Sequence, residues 1–204
     1  NRRTTPCAVP MLQFTDIQAA AQRLKGVAHR TPVLTSKTLD TLLGAAAMLR
    51  GEPVAFVLVG GGPGKAKLQQ RARDEGLDNV SFLDPVRKEQ VPALLQCFDV
   101  AYFGMLRQPL YRFGIAPNKL MDYMMAGRPV LHSIEAGNDP VAEAGCGVTV
   151  AAEDAAAVAA GVRAMLAMDA GQRETLGQKG RAFVLEHLTY PVLAMRFLEA
   201  CAPS

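Results

Sequence analysis

"FVLVGGGPGKAK", residues 56–67, decides the fold. With the two residues before it, "VAFVLV" (54–59) is a continuous β-rich run of the kind a strand buried on both faces requires. Three glycines, a proline and a fourth glycine then force a tight turn. Lys65 to Glu75 is charged and amphipathic, a helix. Working outward, the same alternation recurs. "NVSFL" (79–83) reads as a strand, "KEQVPALLQCF" (88–98) as a helix and "DVAYF" (99–103) as a strand. A loop leads to a helix over "NKLMDYMMAG" (118–127) and the strand "RPVLHS" (128–133), then a short helix "DPVAEAG" (139–145) and "GVTV" (147–150). Helices over 153–168, 171–187 and 190–201 close the chain. Upstream lie a helix over "LDTLLGAAAMLRG" (39–51), a short strand "TPVLTS" (31–36) and an N-terminal helix "IQAAAQRLKG" (17–26) capped by Thr15 or Asp16. Strands alternating with helices of about ten residues mean βαβ units and a parallel sheet, an α/β fold.

Composition narrows the function. Half of the 204 residues are hydrophobic, the net charge is +3 and tryptophan is absent, which gives no basic or aromatic platform for nucleic acid. The four cysteines, 7, 97, 146 and 201, show no CxxC pairing and no histidine companions. Free thiols in a reducing compartment are expected, with no metal site and no disulfide framework. No apolar run approaches the about 18 residues of a spanning helix.

A parallel sheet binds ligands outside the carboxyl ends of its strands, where helix N-termini present free N–H groups to anions. Two places qualify: the turn Gly60–Gly61–Gly62 after Val59, and "FGIAPNKLMDYMMAG" entering a helix near 118. The glycine turn fails both familiar phosphate patterns. As a Walker loop it has Val59 where glycine is needed and Ala66 where a magnesium-binding hydroxyl is needed. As a dinucleotide turn it meets Lys65 or Lys67 at the third glycine. A simple strand-to-helix turn is the competing reading. His132, just past a buried strand, reads as a satisfied core histidine rather than a catalyst.

The ordered set "VLVGGGP", "NVSFLDPV", "FDVAYF", "PNKLMDYMMAGRPVL", "GNDPVAEAGCGVTV" and "HLTYPVLAMRFLEA" resembles the C-terminal, donor-binding half of GT-B retaining glycosyltransferases, over about Leu39 to Ala200. It is most similar to the fucosaminyltransferase-like branch acting on bacterial surface polysaccharides. The resemblance implies a Rossmann-like parallel sheet flanked by helices. It also implies a nucleotide-diphosphate sugar donor, a UDP-sugar, with no cofactor and no metal. The glycine turn at Gly60, Gly61 and Gly62 would let the backbone approach the donor. The second carboxylate of the family's E-x7-E motif, which holds the ribose hydroxyls, falls on Asp122; the first falls on Gly114, so the leading glutamate is missing. Amides at Asn118, Lys119 and Leu120, with the Lys119 ammonium, are left to neutralise the diphosphate. By family position Val80 to Leu83 would lie beside the base. Glu143 would lie toward the pyrophosphate, or be an exposed helix acid.

Met11 to Asp40, "MLQFTDIQAAAQRLKGVAHRTPVLTSKTLD", resembles instead the N-terminus of pyridoxal-phosphate enzymes of the threonine dehydratase and serine racemase group. The Ser-Phe-Lys segment those enzymes need does not follow, so a working ammonia-lyase is not expected. The expected organisation is therefore a join near residue 40. Residues 1–40 form a dehydratase-like segment that is not a domain, and 41–204 a nucleotide-sugar-binding domain. The resemblance also implies that the acceptor-binding domain is missing, and with it the first strand of the C-terminal domain. Pro32–Ser36 is the expected substitute for that strand, paired with 54–59 or its neighbour. The expected activity is sugar transfer to a saccharide or lipid-linked acceptor, inactive without the acceptor domain, in the cytoplasm or at the inner membrane face. A fragment of a lyase and a non-catalytic α/β module are the alternatives.

Overall fold

The computed structural model describes residues 37–201. The expected N-terminal helix, the strand at 31–36 and its pairing lie outside the described residues. Helix α1 (Lys37–Met48) opens the described chain and buries Leu42, Leu43, Ala45 and Ala46. Then follow β1 (Phe56–Val59), α2 (Lys65–Asp74) and β2 (Val80–Leu83). The helix expected over 88–98 is shorter: a 3-10 turn at Lys88–Gln90 runs into α3 (Val91–Leu95). Pro92 has no N–H to donate, which confines it to the first turn of a helix. Strand β3 (Ala101–Gly104) leads through a 3-10 turn at Pro109–Phe113 to α4 (Asn118–Met125) and β4 (Val130–Ser133). Next come α5 (Pro140–Ala144), β5 (Gly147–Val150), α6 (Ala155–Leu166), α7 (Ala170–His187) and α8 (Tyr190–Cys201).

All strand pairings among the described residues are parallel. β1 pairs with β2, Phe56 opposite Val80, while β4 lies between β3 and β5, Leu131 opposite Tyr102 and Val148. The described strands thus form two parallel sheets rather than one, and β1 and β3 each keep one edge unpaired among the described residues. The α/β class and the flanking helices are as expected.

Adjacent strand residues face opposite sides of a sheet, and β4 shows what each side meets. Leu131 packs with Leu42, Ala45, Ala46 and Leu49 of the α1 region, Val158 and Ala159 of α6, and Phe56 of β1. This cluster joins the two sheets under one helical layer. Gly44 brings α1 close to α6, since a Cβ there would lie 3.0 Å from the Ala155 Cβ. Val130 faces the other way, into Leu120 and Met124 of α4, Val141 of α5, Cys146 and Val184 of α7. A third cluster, Leu43, Leu68, Ala72 and Leu77, seats α1 and α2 beside β1 and β2. Helix α8 buries no side chain. No helix among the described residues is long and apolar enough to cross a membrane.

Candidate functional site at the carboxyl ends of the strands

The loops after β1, β3 and β4 hold the residues of interest. At the glycine turn, Gly60 donates its N–H to the Leu83 carbonyl (3.2 Å) and Lys65 N–H closes onto the Gly62 carbonyl (3.1 Å). Gly62 has φ +141°, a conformation that side chains rarely adopt. Gly61 and Gly62 are exposed, and Gly60 is half-buried. Lys65 does not reach over the glycines. Its Nζ donates to the Leu83 carbonyl (2.8 Å) and to Asp84 Oδ1 (2.9 Å), tying the start of α2 to the end of β2.

The second group sits on α4, the crossover helix between β3 and β4. Pro117 precedes it in an extended conformation, and its carbonyl accepts the Leu120 N–H (3.1 Å). The amides of Asn118 and Lys119, in the first turn, have no intrahelical acceptor and lie at the positive end of the helix dipole. Asn118, Lys119 and Asp122 are exposed, whereas Leu120 is fully buried in the core. Spacings of three and four residues put those three polar side chains on one helical face, with Leu120 and Met124 on another. The Leu120 side chain therefore fixes the helix, and its neighbours face outward. The Asp122 carboxylate carries no hydrogen bond among the described residues. No hydrogen bond or ion pair among them connects the glycine turn to the α4 group.

The missing leading glutamate acquires a physical reason. Gly114 has φ +103°, and a Cβ there would also lie 3.2 Å from Asn138 Oδ1. A glutamate would be strained in this loop.

The end of β4 and the loop after it hold contacts that the sequence does not announce. His132 is 0% exposed, and its Nδ1–H donates to Asp139 Oδ1 (2.9 Å). The same oxygen accepts the N–H groups of Val141 (3.1 Å) and Ala142 (3.2 Å), capping α5. Burial pushes the His132 pKa below its ordinary value against the pull of Asp139, so the ring is neutral at pH 7. Burial alone would raise Asp139; hydrogen bonds from Thr149, the Ala142 amide and His132 outweigh it and hold the carboxyl low. The His132 Nε2 is buried without a partner among the described residues. The core-histidine reading thus stands, with half of the ring satisfied. Beyond it, the Asn138 side chain grips Ile115 twice: Oδ1 accepts the Ile115 N–H (2.7 Å) and Nδ2 donates to the Ile115 carbonyl (3.0 Å). Gly137 N–H donates to the Tyr111 carbonyl (2.8 Å). Gly137 and Asn138 belong to a turn-like "GND" (137–139), but their partners lie over twenty residues upstream, so no local pattern announces them. Across the same pole Arg107 pairs with Glu135 (2.8 Å), and its N–H reaches Glu153 (3.4 Å). Glu143 is an exposed acid on α5, and Val80–Leu83 form β2. Among the described residues no cluster of histidine, cysteine or acidic side chains could hold a metal.

The sequence profile of the family described as glycosyl transferases group 1 matches residues 27–168. The chain belongs to that family. The match begins at residue 27 and so runs across the join expected near residue 40; it does not extend the dehydratase resemblance. A relative from Escherichia coli (strain K12), which carries the name colanic acid biosynthesis glycosyl transferase WcaI, is 32% identical over 132 residues, 63% of this chain and 32% of the relative. This chain therefore spans about a third of the length of that relative. Among solved structures, the C-terminal domain of a group 1 glycosyl transferase (LpcC) from Francisella tularensis superposes with a TM-score of 0.63 at 15% identity, covering 78% of this chain and 83% of that one. Anabaena Alr3699/HepE in complex with UDP and glucose gives a TM-score of 0.64 at 19% identity, covering 97% of this chain and 52% of that one. The fold of this member of the group 1 family is the GT-B C-terminal half that its motifs imply.

Proposed function

We propose that this chain is the donor-binding half of a glycosyltransferase. It holds a nucleotide-diphosphate sugar, a UDP-sugar, for transfer to a saccharide or lipid-linked acceptor in surface polysaccharide synthesis. The observation that carries the reading is the exposed face of α4, where Asn118, Lys119 and Asp122 stand together at the positive end of a crossover helix outside a parallel sheet. The family, the WcaI name and the UDP and glucose in the HepE structure support it.

In this reading the first-turn amides and the Lys119 ammonium neutralise the diphosphate. Asp122 accepts hydrogen bonds from the ribose hydroxyl pair. Gly60–Gly62 present bare backbone to the donor, since no side chain stands between it and the strand end. Positive charge comes from the protein, so the reading calls for no metal and no cofactor. Turnover requires an acceptor-binding domain, because positioning both substrates supplies much of the rate. A cytosolic donor and a lipid-linked acceptor would meet at the inner membrane face.

A thermal-shift titration tests this with UDP, UDP-glucose and pyridoxal phosphate on the unaltered chain, Lys119→Ala and Asp122→Ala. A site at a hundred times its Kd adds about 2.7 kcal/mol of stability. Saturable stabilisation by UDP, weakened in both variants, is the expected result. A melting temperature indifferent to UDP overturns the donor reading, and a shift with pyridoxal phosphate alone redirects it to the lyase class.

A further inference from the structure

The loop between β3 and α4 leads into the helix of the proposed donor site, and it is long and rich in exposed apolar groups. Leu110 and Phe113 are 70% and 75% exposed, and the Arg112 guanidinium lies 4.6 Å from the Phe113 ring centre. Side chains so placed contribute little burial to hold a loop in one position. Something else must fix Ile115 to Pro117, from which α4 starts. The loop after β4 does it. Its near end is set by β4, wholly buried, and its far end by Asp139, which the buried His132 and two amides hold. Between these anchors the chain passes so close to the first loop that a Cβ on Gly137 would run into the Arg112 carbonyl oxygen. Next to it Asn138 saturates both backbone groups of Ile115.

We infer that Asn138 is a positioning residue for the donor site: by gripping Ile115 from both sides, it sets where the first-turn amides of α4 and Lys119 meet the diphosphate. The chemistry is specific to a carboxamide. Only a side chain with one acceptor and one donor on the same carbon matches a peptide N–H and C=O at once. Aspartate keeps the acceptor but turns the second contact into two oxygens facing each other; serine is too short to span both. The path is then continuous: β4 and Asp139 hold Asn138, Asn138 holds Ile115, and three residues later the helix begins. This inference rests on the donor-site reading above.

The test compares Asn138→Ala and Asn138→Asp with the unaltered chain by calorimetric titration with UDP and with uridine, alongside amide hydrogen exchange. Losing one positioned hydrogen bond weakens binding by about 5–10-fold. That loss is expected for UDP, whose diphosphate meets the amides, and not for uridine, which lacks it. A merely structural role would weaken both ligands together. Exchange at Leu120, whose N–H closes on Pro117, is expected to speed up in both variants, while β4 stays protected. Asn138→Asp guards against a folding failure in the alanine variant. UDP bound equally well by all three proteins overturns the positioning role and leaves the donor reading standing. If the unaltered chain ignores UDP, the donor reading falls, and unchanged exchange at Leu120 then removes the positioning role as well.

Discussion

The two sheets are built from similar residues and differ in how they are covered. In the three-stranded sheet β4 is buried at all four positions, with α1 and α6 on one side and α4, α5 and α7 on the other. In the two-stranded sheet only Phe56 of β1 is buried, and Val57, on the face away from α1, is 38% exposed. The candidate site is divided between them. The glycine turn leaves the thinly covered sheet, while Asn118, Lys119 and Asp122 start from the thickly covered one. Precision in a binding group depends on what locks its support, so the α4 group is the better-held part of the site and the glycine turn the more adaptable one.

The largest expected effect separates the sheets directly. Leu131→Ala removes a side chain that is 2% exposed from the cluster joining both sheets and costs about 2–5 kcal/mol. Val57→Ala costs less than about 1 kcal/mol, as half-exposed positions do. Urea midpoints of the two variants check this. A large loss from Val57→Ala would mean that the bare face of β1 is covered in solution.

A smaller effect appears with pH and belongs to the three-stranded side alone. Because burial lowers the His132 pKa in the folded state, the unfolded chain binds its proton first as pH falls through about 6.5. Stability from this group is therefore full above that value and declines below it, by at most about 1.4 kcal/mol per pH unit for one proton. The Asp139 carboxyl is held low, so its contribution is lost only further down, below its ordinary range near 3.8. Denaturation midpoints at pH 7.5 and 5.5 should differ in the unaltered chain and much less in His132→Asn. Equal slopes in both would remove His132 from the account.

The smallest effect is chemical. Cys146 lies in the α4–α7 cluster and burial pushes its thiol up to about 11, whereas Cys97 and Cys201 are exposed. A disulfide reagent at pH 8 should label Cys97 and Cys201 at once and Cys146 only as the three-stranded side unfolds. Fast labelling of Cys146 would show that this cluster opens more readily than the contrast between the sheets allows.

Much of this architecture was legible because it is locally encoded. "VAFVLV", "RPVLHS" and "GVTV" are apolar runs bounded by glycine, proline or polar residues, and each yields a strand within two or three residues of its expected place. The α4 start was legible from Pro117 and Asn118 followed by apolar positions at helical spacing. What escaped is non-local. The division into two sheets depends on which strand lies beside which, and a run of apolar residues does not name its neighbour. Lys65 follows the glycine turn in "GGGPGK" and is bound to Leu83 and Asp84, eighteen and nineteen residues on, partners that no local pattern names. Gly137 and Asn138 stood in the sequence only as part of "GNDPVAEAGCGVTV", and their work is done on a loop that precedes them by more than twenty positions. The absence of glutamate at 114 was visible, but its cause, the positive φ, was not.

The contact between α1 and α6 has a bearing on how this chain is made. Gly44 meets Ala155, and Arg163 binds Glu52 (2.8 Å) and the Met48 carbonyl (3.2 Å), across 111 and 115 residues of sequence. The layer that unites the two sheets is thus assembled from segments the ribosome delivers far apart in time. At about 5–20 residues per second, α1 waits for several seconds or more with the side that meets α6 uncovered before α6 has been synthesised. The order of synthesis leaves the α6-facing side of α1 bare over that interval, and a pause in translation before residue 155 would lengthen it.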